Sequence, residues 1–246
     1  MNILHNDDMF NIFPKIESKS INMIFADFPY ETTNCSWDTP IDLDAFWRES
    51  NRILVDNGIV IATAQFPFTA KLAMSNIKYL RYEWIWEKTQ ATGYLNSKRM
   101  PMKSHENILV FYKKLPTYNP QMTTGHVRKV SSAKNRAKCI IRRNNTDNIY
   151  NNEYPDKVND YDSTDRYPRD VIKFASDKQK SKLHKTQKPL GLLEYLIKTY
   201  TNEGDIVLDH CFGSNTTGLA CKNLNRSYIG IEKDINFFNI GSDRIK

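Results

Sequence analysis

Two apolar runs that each end in an aspartate constrain the fold of this chain more than any other feature. Ile21-Asn22-Met23-Ile24-Phe25-Ala26 leads into Asp27-Phe28-Pro29-Tyr30, and Ile206-Val207-Leu208 leads into Asp209-His210-Cys211-Phe212-Gly213-Ser214-Asn215-Thr216-Thr217-Gly218. Short continuous apolar runs bounded by turn signals read as strands buried on both faces. Such strands belong to parallel sheets covered by helices on both sides. In open α/β sheets ligands bind beyond the carboxyl ends of the strands. The two aspartates therefore mark two neighbouring pockets, one for a cofactor and one for the group it modifies.

The rest of the chain supplies the alternation that such a sheet needs. Strands are expected at Ile21–Ala26, Ile59–Ala62, Tyr79–Trp86, Asn107–Tyr112, Ile206–Asp209 and Ser227–Glu232. Helices are expected at Leu43–Val55, Phe68–Ile77, Leu190–Tyr200, Thr216–Leu224 and Ile235–Ile245. Leu43, Phe46, Trp47, Ile53 and Leu54 share one helical face, and Asp56-Asn57-Gly58 reads as the turn that ends that helix. Pro189 suits a helix start. The pattern predicts an α/β fold, Rossmann-like, with a mostly parallel central sheet and helices on both faces.

The middle of the chain breaks the pattern. Between Asn107 and Thr146 there are nine Lys and Arg and no Asp or Glu. Between Asp147 and Asp170 seven acids face three bases. Both stretches are polar and lack helical periodicity. A long segment of this kind in a compact domain is functional or mobile, and its basic half suits phosphates. The candidate DNA-contacting residues are Arg128, Lys129, Lys134, Arg136, Lys138, Arg142 and Arg143. The expected division is 1–115, a polar insertion at 116–183, and 184–246. The net charge of +7 also favours a polyanionic partner.

Other classes fit less well. Cys35, Cys139, Cys211 and Cys221 form no C-x-x-C pair, so they read as free thiols of a reducing cytoplasm rather than zinc ligands or disulfides. No apolar run reaches the ~18 residues that span a bilayer. The first residues hold no basic stretch followed by an apolar core, so no secretory signal and no membrane partner are expected.

The strand-end residues carry recognisable chemistry. The exocyclic amine of adenine is a poor nucleophile because its lone pair is delocalised into the ring. Asp27 can accept a hydrogen bond from such an amine, and the Phe28 carbonyl can accept another. Pro29 holds Phe28 extended, and Tyr30 offers a ring on which an extruded base stacks. At the second motif, Gly213 lets the backbone approach a ligand, and the following helix start can face a carboxylate. Glu232 ends the next strand, about 20 residues on, where an acid can accept ribose hydroxyls. There is no G-x-G-x-x-G, which weighs against a dinucleotide.

Taken together these motifs resemble the β-group of DNA amino-methyltransferases, the N6/N4 DNA methylases. Asp27-Phe28-Pro29-Tyr30 resembles the group's D-P-P-Y, Phe212-Gly213-Ser214-Asn215-Thr216-Thr217 its F-x-G-x-G turn, and His184-Lys185-Thr186-Gln187-Lys188-Pro189 its H-P-T-Q-K-P. Asn6-Asp7-Asp8 resembles its N-G-D; Thr32-Thr33, Trp37-Asp38 and the stretch from Tyr82 to Lys88 read like its adenine-specific members. The resemblance covers nearly the whole chain outside 127–164. It implies a methyltransferase fold dependent on S-adenosylmethionine, with no metal, acting on adenine N6 in double-stranded DNA. The implied catalytic residues are Asp27, Phe28, Pro29 and Tyr30. The implied cofactor residues are Asp8, Asp27, Lys188, Asp209, Phe212, Gly213, Ser214, Asn215, Thr216 and Glu232. A homodimer and a cognate restriction endonuclease are further expectations. Three residues depart from the pattern: Phe28 and Lys185 replace prolines, and Asn215 replaces a glycine. Two alternatives stay open: methylation of cytosine N4, and a DNA-binding member of the same fold with weakened catalysis. Outside the motifs, Trp84 and Trp86 are expected in the core, and His105 in a structural role.

Overall fold

A computed structural model describes residues 2–30, 40–138, 158–176 and 187–246. The chain forms two compact units, one of residues 1–119 with 169–246 and one of residues 120–168.

The larger unit is built on an eight-stranded sheet. Its strands are β1 (Asn2–His5), β2 (Ile21–Asp27), β3 (Leu54–Ala64), β4 (Leu80–Thr92), β5 (Lys103–Tyr112), β8 (Val171–Phe174), β9 (Ile206–Asp209) and β10 (Ser227–Ile231), in the order β1-β10-β9-β2-β3-β5-β4-β8. The smaller unit supplies β6 (Lys129–Ser131) and β7 (Tyr161–Ser163), paired antiparallel. Within the large sheet β5 alone runs against its neighbours, antiparallel to both β3 and β4.

Each buried strand sends alternate residues to opposite faces. Ile24 and Ala26 join a cluster with Phe46, Trp47, Ile53, Phe68 and Leu72. These come from α2 (Leu43–Ile53) and α3 (Phe68–Ser75), which follow the short α1 (Met9–Ile12). Met23 and Phe25 join the opposite cluster with Leu192, Leu196, Ala220, Cys221 and Ile245. Those residues lie on α4 (Leu190–Tyr200), α5 (Thr216–Asn223) and α6 (Ile235–Ile245). The doubly covered α/β sheet expected from the sequence is therefore present.

The boundaries carry the corrections. Helix α2 starts where Asp42 accepts a hydrogen bond from the Ala45 amide, but it ends at Ile53. Asp56-Asn57-Gly58 lies inside β3, where the register against β2 jumps from Ile21↔Leu54 to Met23↔Ile59. Turn chemistry there marks a bulge in a strand, not a helix end. Strands β1 and β8 are too short to show a period. Val171–Phe174, read as insertion, is an edge strand beside β4. Trp84 and Trp86 are buried as expected, and their indole N–H groups donate to the Tyr200 hydroxyl and the Phe174 carbonyl. No helix among the described residues is long and apolar enough to cross a membrane.

Candidate active site

The central strands β9 and β2 are parallel neighbours, with Phe25 opposite Asp209. From β2 the chain moves on to β3 on one side, and from β9 to β10 on the other. That reversal is the switch point at which α/β sheets open a crevice. A cavity of about 730 Å³ lies there, lined by Asp8, Asp27, Phe28, Pro29, Tyr30, Lys188, Asp209, Phe212, Gly213, Ser214, Thr216 and Glu232, among others. Its size is that of a small-molecule site. Cys211 ties the two strand ends together, its thiol donating to the Asp27 carbonyl at 3.0 Å.

One end of the cavity is a charged cluster. The Lys188 ammonium donates to both Asp27 oxygens at 2.7 Å and lies 3.6 Å from Glu106. Glu106 is also paired with Lys88 at 2.7 Å. The Tyr30 hydroxyl bridges Asp27 and Glu106 at 3.1 Å each, and Thr63 donates to Asp27 at 2.6 Å. Burial by itself raises the Glu106 pKa, but Lys188 and Lys88 outweigh it and hold the carboxyl down at about 2. Burial likewise pushes Lys188 down, and the Asp27 and Glu106 carboxylates override it, so the lysine sits above its ordinary value. The cluster is thus two carboxylates against two ammonium groups. Burial, with Asp27 and Glu106 beside it, raises the Tyr30 phenol well above its ordinary value and keeps it a donor.

The Phe28 ring fills an apolar slot against Phe46 and His210, each at a centroid distance of 4.9 Å. That packing supplies rigidity at the position where the related motif has proline. Burial lowers the His210 pKa to about 4, so its ring is neutral, and both ring nitrogens lack a partner among the described residues. The buried Gln187 amide, also on the cavity wall, has none either.

The other end is the turn between β9 and α5. Gly213 has φ +53°, and its amide donates to Glu232 at 2.8 Å. The second Glu232 oxygen accepts from the Asp234 amide at 2.9 Å. Arg244 holds the turn from behind, donating to the Ser214 carbonyl and the Thr216 hydroxyl at 2.8 Å each. Asp8 caps α1 through the Phe10 amide and meets Lys233 at 3.1 Å.

A family profile for DNA methylases of the N6/N4 type matches residues 21–243. The chain belongs to that family. It is 28% identical to the DNA adenine methyltransferase YhdJ of Escherichia coli K12, over 99% of this chain and 82% of the relative. It is 26% identical to the type II methyltransferase M.HpaI of Haemophilus parainfluenzae, over 94% of this chain and 69% of the relative. Among solved structures, the M1.HpyAVI–SAM complex aligns with a TM-score of 0.66 at 22% identity, covering 100% of both chains. The cytosine-N4-specific PvuII DNA methyltransferase aligns with a TM-score of 0.67 at 14% identity, covering 100% of this chain and 86% of that one. At such identities the two structures speak for the fold alone.

In this DNA methylase, one expected site residue lies away from the cavity lining. Asn215 does not line the cavity. The residue is fully buried at φ +54°, its side-chain Oδ1 accepts from the Gly218 amide and its side-chain Nδ2 donates to the Gly241 carbonyl. Asn tolerates this left-handed conformation, and its side chain staples the turn to α6 instead of crowding a ligand. Lys188, expected beside the cofactor, lines the cavity and is bound there between two carboxylates. His105 is exposed on β5, outside the cavity lining. In the smaller unit Arg128 pairs with Asp162, and Arg136 donates to the Asn159 carbonyl and lies over the Tyr161 ring. The acidic stretch thus engages two of the expected DNA-contacting arginines, while Lys129, Lys134 and Lys138 are exposed. Arg142, Arg143, Thr32, Thr33, Trp37, Asp38 and the residues from His184 to Thr186 lie outside the described residues. Of the cysteines, Cys211 and Cys221 are free thiols.

Sequence reading missed Glu106 and Thr63, and gave Gln187 only as part of a motif without a role. Glu106 interrupts the strand pattern just before Asn107 and Ile108, but its partners Lys88, Lys188 and Tyr30 are distant in sequence. The β4–β5 pairing, which sets Trp86 opposite Glu106, brings Lys88 to it, while Tyr30 arrives from the end of β2 and Lys188 from the segment before α4.

Asp209 is buried at the end of β9. Burial pushes its pKa up from 3.8 to about 7, against the Thr217 hydroxyl and Cys211 amide that donate to it. The folded chain therefore holds this proton more tightly than the unfolded chain between about pH 4 and pH 7, and stability falls as pH rises through that window. The gap corresponds to at most about 4 kcal/mol. Asp209→Asn is expected to remove this loss. Denaturant melts at pH 5 and pH 8 should show a smaller drop for the variant, and an equal drop would assign the pH dependence elsewhere.

Proposed function

We propose that this methylase transfers a methyl group from S-adenosylmethionine to N6 of an adenine extruded from duplex DNA. The observation that carries this reading is the single cavity joining Asp27-Phe28-Pro29-Tyr30 to the Gly213 turn and Glu232. Its residues suit the cofactor. Gly213 exposes backbone at the start of α5, Asp209 and Glu232 are acceptors for hydroxyl and amine groups, and the buried Gln187 amide lacks a partner among the described residues. S-adenosylmethionine would supply an electrophilic methyl on a sulfonium, the S–CH3 bond breaking to release S-adenosylhomocysteine while the methylated amine loses its surplus proton to solvent.

The chain's own residues do the rest. Asp27 accepts a hydrogen bond from the target amine, and the Phe28 carbonyl accepts the second. Together they draw the nitrogen lone pair out of the ring conjugation and aim it. The Tyr30 ring, which lines the cavity and is backed by the buried Phe68 ring 5.9 Å away, offers a surface on which the base stacks. Catalysis comes from holding two partners in line and from preorganised acceptors. Adenine is favoured over cytosine by the aspartate at position 27 and by the likeness to an enzyme named as an adenine methyltransferase.

The test is transfer of labelled methyl from S-adenosylmethionine to unmethylated genomic DNA, followed by separation of the nucleosides. Label in N6-methyldeoxyadenosine is expected. Label in N4-methyldeoxycytidine would overturn the base, and no label would overturn the activity.

A further inference from the structure

The strands β4 and β5 outrun the rest of the sheet on the side where the cavity opens. Asp27 is level with Thr63, and Thr63 with Ile108 on β5. Because β5 runs against β3, its earlier residues continue past that level. Lys103 still pairs with Thr92 on β4. Five residues at the usual strand rise carry the ribbon roughly 16 Å beyond Asp27. At its root are Lys88 and Glu106, paired at 2.7 Å, and Glu106 reaches the Tyr30 hydroxyl.

The far end of this hairpin has two properties that the fold does not use. First, it is apolar and bare. Tyr94 is 76% exposed, Leu95 97%, Met100 53% and Met102 38%. Single exposed apolar residues are ordinary, but four within nine positions make a patch that calls for a partner. Leu95 sits at the crest, inside the single turn Tyr94–Asn96 that follows Gly93 at φ +91°. Second, it is one-signed. Residues 88–105 include Lys88, Lys98, Arg99 and Lys103 and no Asp or Glu, and Lys98, Arg99 and Lys103 are exposed. An apolar patch ringed by cations of one sign complements a polyanion that has an apolar interior. A duplex is such a partner, with phosphates outside and stacked bases within. Proteins that unstack DNA insert small apolar wedges between base steps.

We propose that the β4–β5 hairpin is a DNA-contacting element, with Lys98, Arg99 and Lys103 meeting phosphates while Leu95, flanked by Tyr94, wedges into the stack beside the target base. This inference rests on the DNA-methylation reading. It adds a contact surface to the basic stretch of residues 128–143 and explains how the base is opened at the same sheet edge that carries Asp27.

The experiment compares the wild-type chain with Leu95→Ala and with the double variant Lys98→Ala/Arg99→Ala. These side chains are exposed, so melts and cofactor calorimetry should match wild type. The double variant is expected to lower the slope of log affinity against log salt on unmethylated duplex fragments by about 1.8, two phosphate contacts at about 0.9 each. Leu95→Ala is expected to slow labelled methyl transfer about tenfold on the duplex, yet less than about twofold on the same DNA heat-denatured, where no stack needs opening. Equal losses on both forms, or an unchanged salt slope, would overturn the proposal. So would a wild-type dimer that Leu95→Ala splits, with duplex binding unaltered, since the patch would then be an interface between copies. A wild type that labels no DNA would instead remove the underlying reading.

Discussion

Asp27→Ala should abolish methyl transfer while leaving the fold and the cofactor site in place. Asp27 ends the central strand β2, and its backbone is fixed by pairing with both β3 and β9. Removing the carboxylate does not strand its lysine, because Glu106 lies 3.6 Å from the same ammonium and remains ionised. The usual penalty for orphaning a buried charge is therefore softened. The turn at Gly213 and the acceptor Glu232 are held by contacts of their own with Asp234 and Arg244. What the variant loses is a preorganised acceptor at the reacting nitrogen. Loss of one such group slows chemistry by about 10²–10³, and the lost orientation of the amine adds to it. The expected result is a single-turnover rate down about 10³-fold or more, with cofactor affinity by calorimetry within about threefold, or 0.7 kcal/mol. A rate within tenfold of wild type would mean that Asp27 is not the acceptor. A collapse of cofactor affinity would mean that the two pockets have been assigned the wrong way round. Asp209→Asn is the mirror experiment, with a smaller loss of stability toward high pH and weaker cofactor binding.

The parts of this site legible in the sequence are those in which chemistry and local structure share one short segment. Asp27-Phe28-Pro29-Tyr30 follows a buried strand directly, and Gly213 follows Asp209 within one turn, so strand pattern and motif support each other. The sheet was legible wherever strands were long enough to show buried runs. It was illegible at β1 and β8, which have four residues each. Asp56-Asn57-Gly58 misled because turn residues serve bulges as well as chain reversals. The role of Asn215 was not legible, because the sequence shows only that it stands where the pattern has a glycine. Here the conformation is one that Asn accepts, and the amide is used to bind the turn. Glu106 was out of reach because its meaning is pairwise. A lone acid on a strand becomes part of the site only when two lysines and a tyrosine from three other segments close around it.

That closure leads to the second large effect. In this structure every Asp27 oxygen is already engaged: Oδ1 by Lys188, Tyr30 and Thr63, Oδ2 by Lys188. The Lys188 ammonium also lies 5.4 Å over the Tyr30 ring. For an amine to bond Asp27, Lys188 has to yield, and Glu106 is the acceptor beside it. Glu106→Gln removes that alternative. The cluster then has one carboxylate between two ammonium groups, and Asp27 is held more firmly than before. Methyl transfer is expected to fall about 10–100-fold, equivalent to 1.4–2.8 kcal/mol on the barrier, with cofactor affinity unchanged. Lost packing alone would give a similar fall, so the decisive readout is a second substitution. In a Lys188→Met background the competing ammonium is gone, and adding Glu106→Gln should cost little further rate. Melts of all three variants exclude unfolding as the cause. If instead the two losses simply multiply, Glu106 acts independently of Lys188. The lysine would then not be what it moves, and the route by which Asp27 becomes free for the base would have to run through Tyr30 or Thr63.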